Sequence, residues 1–109
     1  MEIKTTVTIL AALAQESRLT IFRRLVEAGK EGLSAGKISE HTNIPPSSLS
    51  FHLKGLNYAN LVTSRNEGRF VIYTANFDTM NDVLSFLTDN CCAGRPCLPR
   101  KKKYEPTNI

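Results

Sequence analysis

The run Asn43-Ile44-Pro45-Pro46 constrains this chain more than any other stretch. Proline removes a backbone donor and clashes inside a helix, yet suits its first turn. These residues therefore end one helix and begin another. Upstream, Ser34 fits as the N-cap of a short helix running through Thr42, with Ile38 turned inward. Downstream, Leu49, Leu53 and Leu56 recur at i, i+4, i+7 and predict a helix from about Pro46 to Tyr58. Beyond it, Leu61–Ser64 and Phe70–Thr74 read as strands around Arg65-Asn66-Glu67-Gly68-Arg69. Phe70, Ile72 and Thr74 alternate with Val71 and Tyr73, and Gly68 marks the hairpin tip.

The flanks are helical. Ile3, Val7, Leu10 and Ala14 predict a first helix over Ile3–Ala14. After the polar break Gln15-Glu16-Ser17, a second helix opens at Glu16 or Ser17, with Leu19, Phe22, Leu25 and Val26 on one face and Gly29 as its stop. Lys30–Leu33 reads as a loop. Phe77, Met80, Leu84 and Leu87 stripe a last helix over Phe77–Asp89. The order ααααββα is mainly α with a small β-hairpin, an α+β class. At 109 residues the chain suits one domain. Helix, tight turn, helix and hairpin in this order read as a winged helix-turn-helix, whose second helix can enter a DNA major groove.

The charge is unevenly placed. The net +4 comes from 14 basic and 10 acidic residues. Residues 1–94 hold nine of each, so the whole excess lies in residues 95–109, with Arg95, Arg100 and Lys101–Lys103 against Glu105. Within the neutral part, residues 37–69 carry +2 and residues 70–94 carry −3, a polarity that favours DNA on the hairpin side. No apolar run approaches the roughly 20 residues of a membrane span. Val7–Ala14 mimics a leader with a small-residue cleavage site. Lys4 alone supplies its basic start, however, Glu2 cancels it, and the helical pattern continues past Arg18. A cytoplasmic protein is expected. Three cysteines cannot all pair within one chain, which argues against a disulfide scaffold.

On the predicted second helix of the pair, the leucines face the core and leave Ser47, Ser48, Ser50, Phe51 and Lys54 outward. Serine hydroxyls can meet phosphates or either base edge, and lysine can neutralise a phosphate. Arg65 and Arg69 flank the hairpin tip, where they suit backbone or minor-groove contact. His52 joins the candidate DNA contacts. Bland alternatives stand beside these: helix capping by Ser47, solubility of an edge hairpin for the arginines, and a structural hydrogen bond for His52.

With these residues in view, the chain resembles the ArsR/SmtB family of metal-responsive winged-helix repressors. The resemblance is carried by Leu13-Ala14-Gln15-Glu16-Ser17-Arg18-Leu19-Thr20-Ile21-Phe22 and by Ser48-Leu49-Ser50-Phe51-His52-Leu53-Lys54-Gly55-Leu56. It continues through Leu61-Val62-Thr63-Ser64-Arg65-Asn66-Glu67-Gly68-Arg69 to Val71-Ile72-Tyr73, and spans roughly residues 8–90. It implies a homodimer held by the first and last helices. Two departures stand out: many members have a basic residue where Phe51 stands and a polar one at Pro46. Members that sense arsenite through the third helix carry cysteines there, whereas this chain has Leu33-Ser34-Ala35-Gly36-Lys37-Ile38. The family places inducer sites at different positions, which directs attention to the cysteines present.

Those are Cys91, Cys92 and Cys97, all just before the basic tail. Soft thiolates favour thiophilic ions. Trivalent arsenic or antimony, As(III) or Sb(III), takes three thiolates in a pyramid, whereas zinc usually wants four ligands. Arg95, Arg100 and Lys101–Lys103 would favour the thiolate form, against the dipole at the end of the preceding helix. A redox switch, a Zn, Cd or Pb site completed by a partner subunit, a methylated arsenic on Cys91 and Cys92 alone, and inert cysteines remain open. The expected division is a DNA-binding and dimerisation domain over 1–90, a cysteine segment over 91–97 and a basic tail over 98–109. The expected function is a repressor that binds operator double-stranded DNA as apo-protein and leaves it when the metalloid inducer binds. A thiol enzyme is disfavoured, since the sequence has no Cys-x-x-Cys pair and no anion-cradling loop around a cysteine.

Overall fold

The computed structural model describes residues 1–94. Its elements in chain order are α1 (Ile3–Leu13), α2 (Glu16–Ala28), β1 (Leu33–Ser34), α3 (Ala35–Thr42), α4 (Pro46–Tyr58), β2 (Val62–Glu67), β3 (Phe70–Ala75) and α5 (Phe77–Thr88). Among the described residues no helix is long and apolar enough to cross a membrane.

Local chemistry sets the boundaries. The Gln15 side chain accepts the Arg18 N–H at 2.8 Å and caps α2, which opens at Glu16 as expected. Gly29 ends α2 with φ +68, which glycine alone adopts without strain. Ser34 accepts the Lys37 N–H at 3.3 Å and caps α3, as its position predicts. Asn76 accepts the Thr79 N–H at 3.3 Å and caps α5.

The sheet is larger than the expected hairpin. β1 pairs antiparallel with β3 through Leu33↔Tyr73 and Ser34↔Ile72, so the strand order is β1-β3-β2. This strand falls where the sequence reads as a loop, because two residues are too few to show alternation. β2 pairs with β3 from Val62↔Ala75 to Glu67↔Phe70, so Arg65 lies within a strand and not in the turn.

Ile21, Leu25, Ile38, Leu49, Leu56, Leu61 and Val62 are fully buried and lock α2, α3, α4 and the root of β2 together. α1 turns a different face inward from the one its longest apolar spacing suggests. Thr6, Ile9 and Ala12 are buried, while Ile3, Val7 and Leu10 are exposed. Burying Thr6 is tolerable because its hydroxyl donates to the Glu2 carbonyl at 2.9 Å. On α5, Val83 is buried whereas Leu84 and Leu87 are exposed. These exposed side chains border an apolar groove of about 190 Å³ between α1 and α5, lined by Leu10, Leu13, Met80, Leu84 and Leu87 among others.

Candidate nucleic-acid interface

α4 is aimed by the turn before it. Asn43 takes the left-handed conformation at φ 59 and closes α3. Thr42 Oγ1 donates to the Ile38 carbonyl at 2.7 Å and accepts the Ile44 N–H at 3.3 Å. Ser39 Oγ donates to the Ile44 carbonyl at 2.7 Å. Pro46 then sits in the first turn of α4, where no backbone donor is needed. With Leu49, Leu53 and Leu56 buried, the opposite face is fixed: Ser47, Ser48, Ser50, Phe51 and Lys54 are exposed. No side chain caps α4. Among the described residues, no hydroxyl of Ser47, Ser48 or Ser50 has a partner within the chain, nor has the Lys54 ammonium. Capping by Ser47 is therefore not what the structure displays.

His52 sits differently. It is half-buried, and its Nδ1 accepts the Arg18 Nε–H at 3.2 Å. The Arg18 guanidinium lies over the Phe51 ring, 5.4 Å from its centroid, within cation–π range. The Phe51 and His52 rings meet edge-on at 5.6 Å and 64°. Gly55 makes room for this cluster, since a Cβ there would fall 2.5 to 2.7 Å from the guanidinium atoms of Arg18. The His52 pKa lies below the ordinary imidazole range, first because burial penalises the cation and second because Arg18 is positive. An unfolded chain then binds this proton more readily than the folded one. Stability from His52 is thus present in full above its unfolded pKa of 6.5 and is lost as pH falls from there through the lower folded pKa. Urea melts between pH 7.5 and pH 5.5 should show this decline, and His52→Gln should flatten it.

The wing carries two arginines with different roles. Glu67↔Phe70 pairing leaves Gly68 and Arg69 as the turn, with Gly68 at φ +61. Arg69 is exposed and, among the described residues, has no partner within the chain. Arg65 is bonded within the chain through three of its five donors. Its Nε donates to Glu67 Oε2 at 2.6 Å, Nη1 to the Lys30 carbonyl at 3.1 Å and Nη2 to the Glu31 carbonyl at 2.9 Å. The fork thereby pins β2 to the 3-10 turn Gly29–Glu31 after α2. Arg65→Ala should cost about 1 kcal/mol in urea unfolding, the reduced worth of charge-assisted bonds at an exposed site. Arg65→Lys should not restore it, because an ammonium cannot span two carbonyls and a carboxylate in this geometry.

The thiols follow α5. Cys91 is half-buried and Cys92 exposed, in the turn Cys91–Gly94. Cys92 and Ala93 are left-handed at φ 55 and 58. Cys97 lies outside the described residues, and among those described no three of His, Cys, Asp and Glu stand together as a metal site. The other end of α5 touches α4. Asn60, two residues past α4 at φ 63, donates through Nδ2 to buried Thr79 Oγ1 at 3.3 Å, and Asn76 Nδ2 donates to Asn60 Oδ1 at 3.4 Å. Neither this link nor the Arg18 cluster is read from the sequence. The available signal is Gly55, an unfavourable residue inside a helix, which marks a close approach.

Comparisons with known proteins agree with this geometry. Residues 13–65 match the helix-turn-helix domain family. The chain is 40% identical over 76 residues to the uncharacterized HTH-type transcriptional regulator YceK of Bacillus subtilis, covering 70% of this chain and 75% of that protein. It is 36% identical over 84 residues to the arsenical resistance operon repressor of the same organism, covering 77% and 76%. It superposes on the structure of HlyU from Vibrio cholerae with a TM-score of 0.63 at 34% identity, covering 80% and 97%. Such relatives regulate transcription and are not enzymes. The chain belongs to the ArsR/SmtB-like family of winged helix-turn-helix transcriptional regulators.

Proposed function

We propose that this DNA-binding regulator is a cytoplasmic homodimeric repressor that holds its operator without ligand and releases it when As(III) or Sb(III) binds Cys91, Cys92 and Cys97. The observation that carries the DNA-reading part is the face of α4. Three serine hydroxyls and Lys54 stand exposed and unengaged there, over leucines locked in the core. Ser47, Ser48, Ser50, Phe51 and Lys54 contact the groove, Arg69 the backbone beside it. Arg65 and His52, already bonded within the chain, hold the wing and the helix in place.

Dimerisation is supported by Ile3, Val7, Leu10, Leu84 and Leu87, which leave an apolar face across α1 and α5. The inducer is supported by donor chemistry: adjacent soft thiols without a third carboxylate or imidazole ligand among the described residues. A relative named for arsenical resistance agrees with it. Asn60, Asn76 and Thr79 give a contact route from α5 to the end of α4. Release requires that the ligand bind the two forms with different affinities, by about 3 kcal/mol for a hundredfold loss of operator affinity.

Enrichment of a random-sequence duplex library on the reduced protein tests the reading. An inverted repeat with half-sites about one helical turn apart is expected of such a dimer. Enrichment of an unpaired site, or of no sequence at all, would count against it.

A further inference from the structure

We propose that Phe51 is a specificity-determining residue, its ring reading thymine C5-methyl groups in the major groove. The inference rests on α4 being the reading helix. Phe51 is 65% exposed on the face of α4 that turns away from the core. Its neighbours on the helix surface, three and four residues away, are Ser47, Ser48, Lys54 and Gly55. None of these four is a large apolar side chain; the other exposed aromatic of α4, Tyr58, lies two turns further along.

The ring is nevertheless held. The Arg18 guanidinium covers it at 5.4 Å, the His52 ring abuts it at 5.6 Å, and Arg18 is itself tied to His52 at 3.2 Å. Gly55 supplies the notch that lets Arg18 lie there. A long exposed apolar side chain gains little for stability from this arrangement, but it gains a fixed orientation for contact. An aromatic hydrocarbon offers no hydrogen bond to a base edge. The apolar group that the major groove presents is the thymine methyl. The serines beside it accept and donate alike, and so discriminate weakly between bases. Phe51 thus supplies a distinction between thymine and cytosine that its neighbours cannot.

Replacing each thymine of the enriched duplex in turn by deoxyuridine removes the methyl and leaves every hydrogen-bonding group in place. For the reduced full-length protein, at least one such change per half-site should weaken binding about fourfold, the worth of one methyl group removed from water. Phe51→Ala should bind the thymine and uracil duplexes equally, and Phe51→Leu should keep part of the preference. Lys54→Ala, measured in parallel, should weaken all duplexes alike. A flat wild-type profile, or the same thymine preference in Phe51→Ala, overturns the methyl contact. If Lys54→Ala is also without effect, α4 itself is not the reading helix and the inference falls with it.

Discussion

Gly32→Ala is expected to destabilise the fold by about 2–6 kcal/mol, whereas Gly29→Ala should cost about 1–3 kcal/mol. Both glycines hold nearly the same positive φ, +70 and +68, so the left-handed backbone penalty is common to both. They differ in what surrounds them. A Cβ on Gly29 meets nothing within 4 Å, while one on Gly32 would come within 3 Å of the Tyr73 carbonyl oxygen and of the Cγ2 atoms of Thr74 and Ile72. Two of these belong to β-branched side chains and one to backbone, and none can swing aside. The substitution would therefore push β1 off β3 and loosen the root of the wing. Equilibrium urea unfolding of the two variants measures the difference. Equal midpoints would mean that β1 does not pack on β3 as closely as the register indicates.

The second large effect concerns the thiols. Cys91→Ser with Cys92→Ser should leave operator affinity of the reduced protein within about twofold of wild type, because the turn Cys91–Gly94 follows α5 and contributes no residue to α4 or the wing. Release by arsenite should vanish. Serine oxygen is a hard donor that stays protonated, and it does not replace thiolate toward a thiophilic ion. A fall from a response on the order of a hundredfold to none is the expected size. Cys97→Ser separates two ligand types. A complete response in that variant indicates two-thiol coordination by Cys91 and Cys92, and a lost response indicates three. Mobility shifts across an arsenite titration measure both variants and the wild type on one duplex.

What could be read from the sequence was local. α4 runs over Pro46–Tyr58 as expected, because a first-turn proline and three leucines at helical spacing act within one element. The exposed serines follow from the same leucines. α1 was harder, since Ile3, Val7 and Leu10 and the buried Ile9 and Ala12 make it apolar on more than one face. Periodicity finds such a helix but does not choose which face the core takes. β1 escapes because its pairing partners Ile72 and Tyr73 lie far along the chain and its two residues show no pattern of their own. Arg65 is the clearest case of a role set by tertiary contact. In sequence it is a cation near a hairpin tip, but the fold brings Lys30 and Glu31 carbonyls beneath it and engages three of its five donors. Arg18 is likewise an ordinary early-helix cation until Gly55, Phe51 and His52 of another helix surround it.

One titration tests whether the reading face of α4 answers to the cysteines beyond α5. Reduced wild-type protein is bound to its enriched duplex at a concentration near the dissociation constant, and arsenite is added to saturation while the bound fraction is followed by mobility shift. The expected result is dissociation of the complex, with operator affinity lowered by on the order of a hundredfold. Full retention of the complex at saturating arsenite, in protein whose thiols are shown to be reduced, would contradict it.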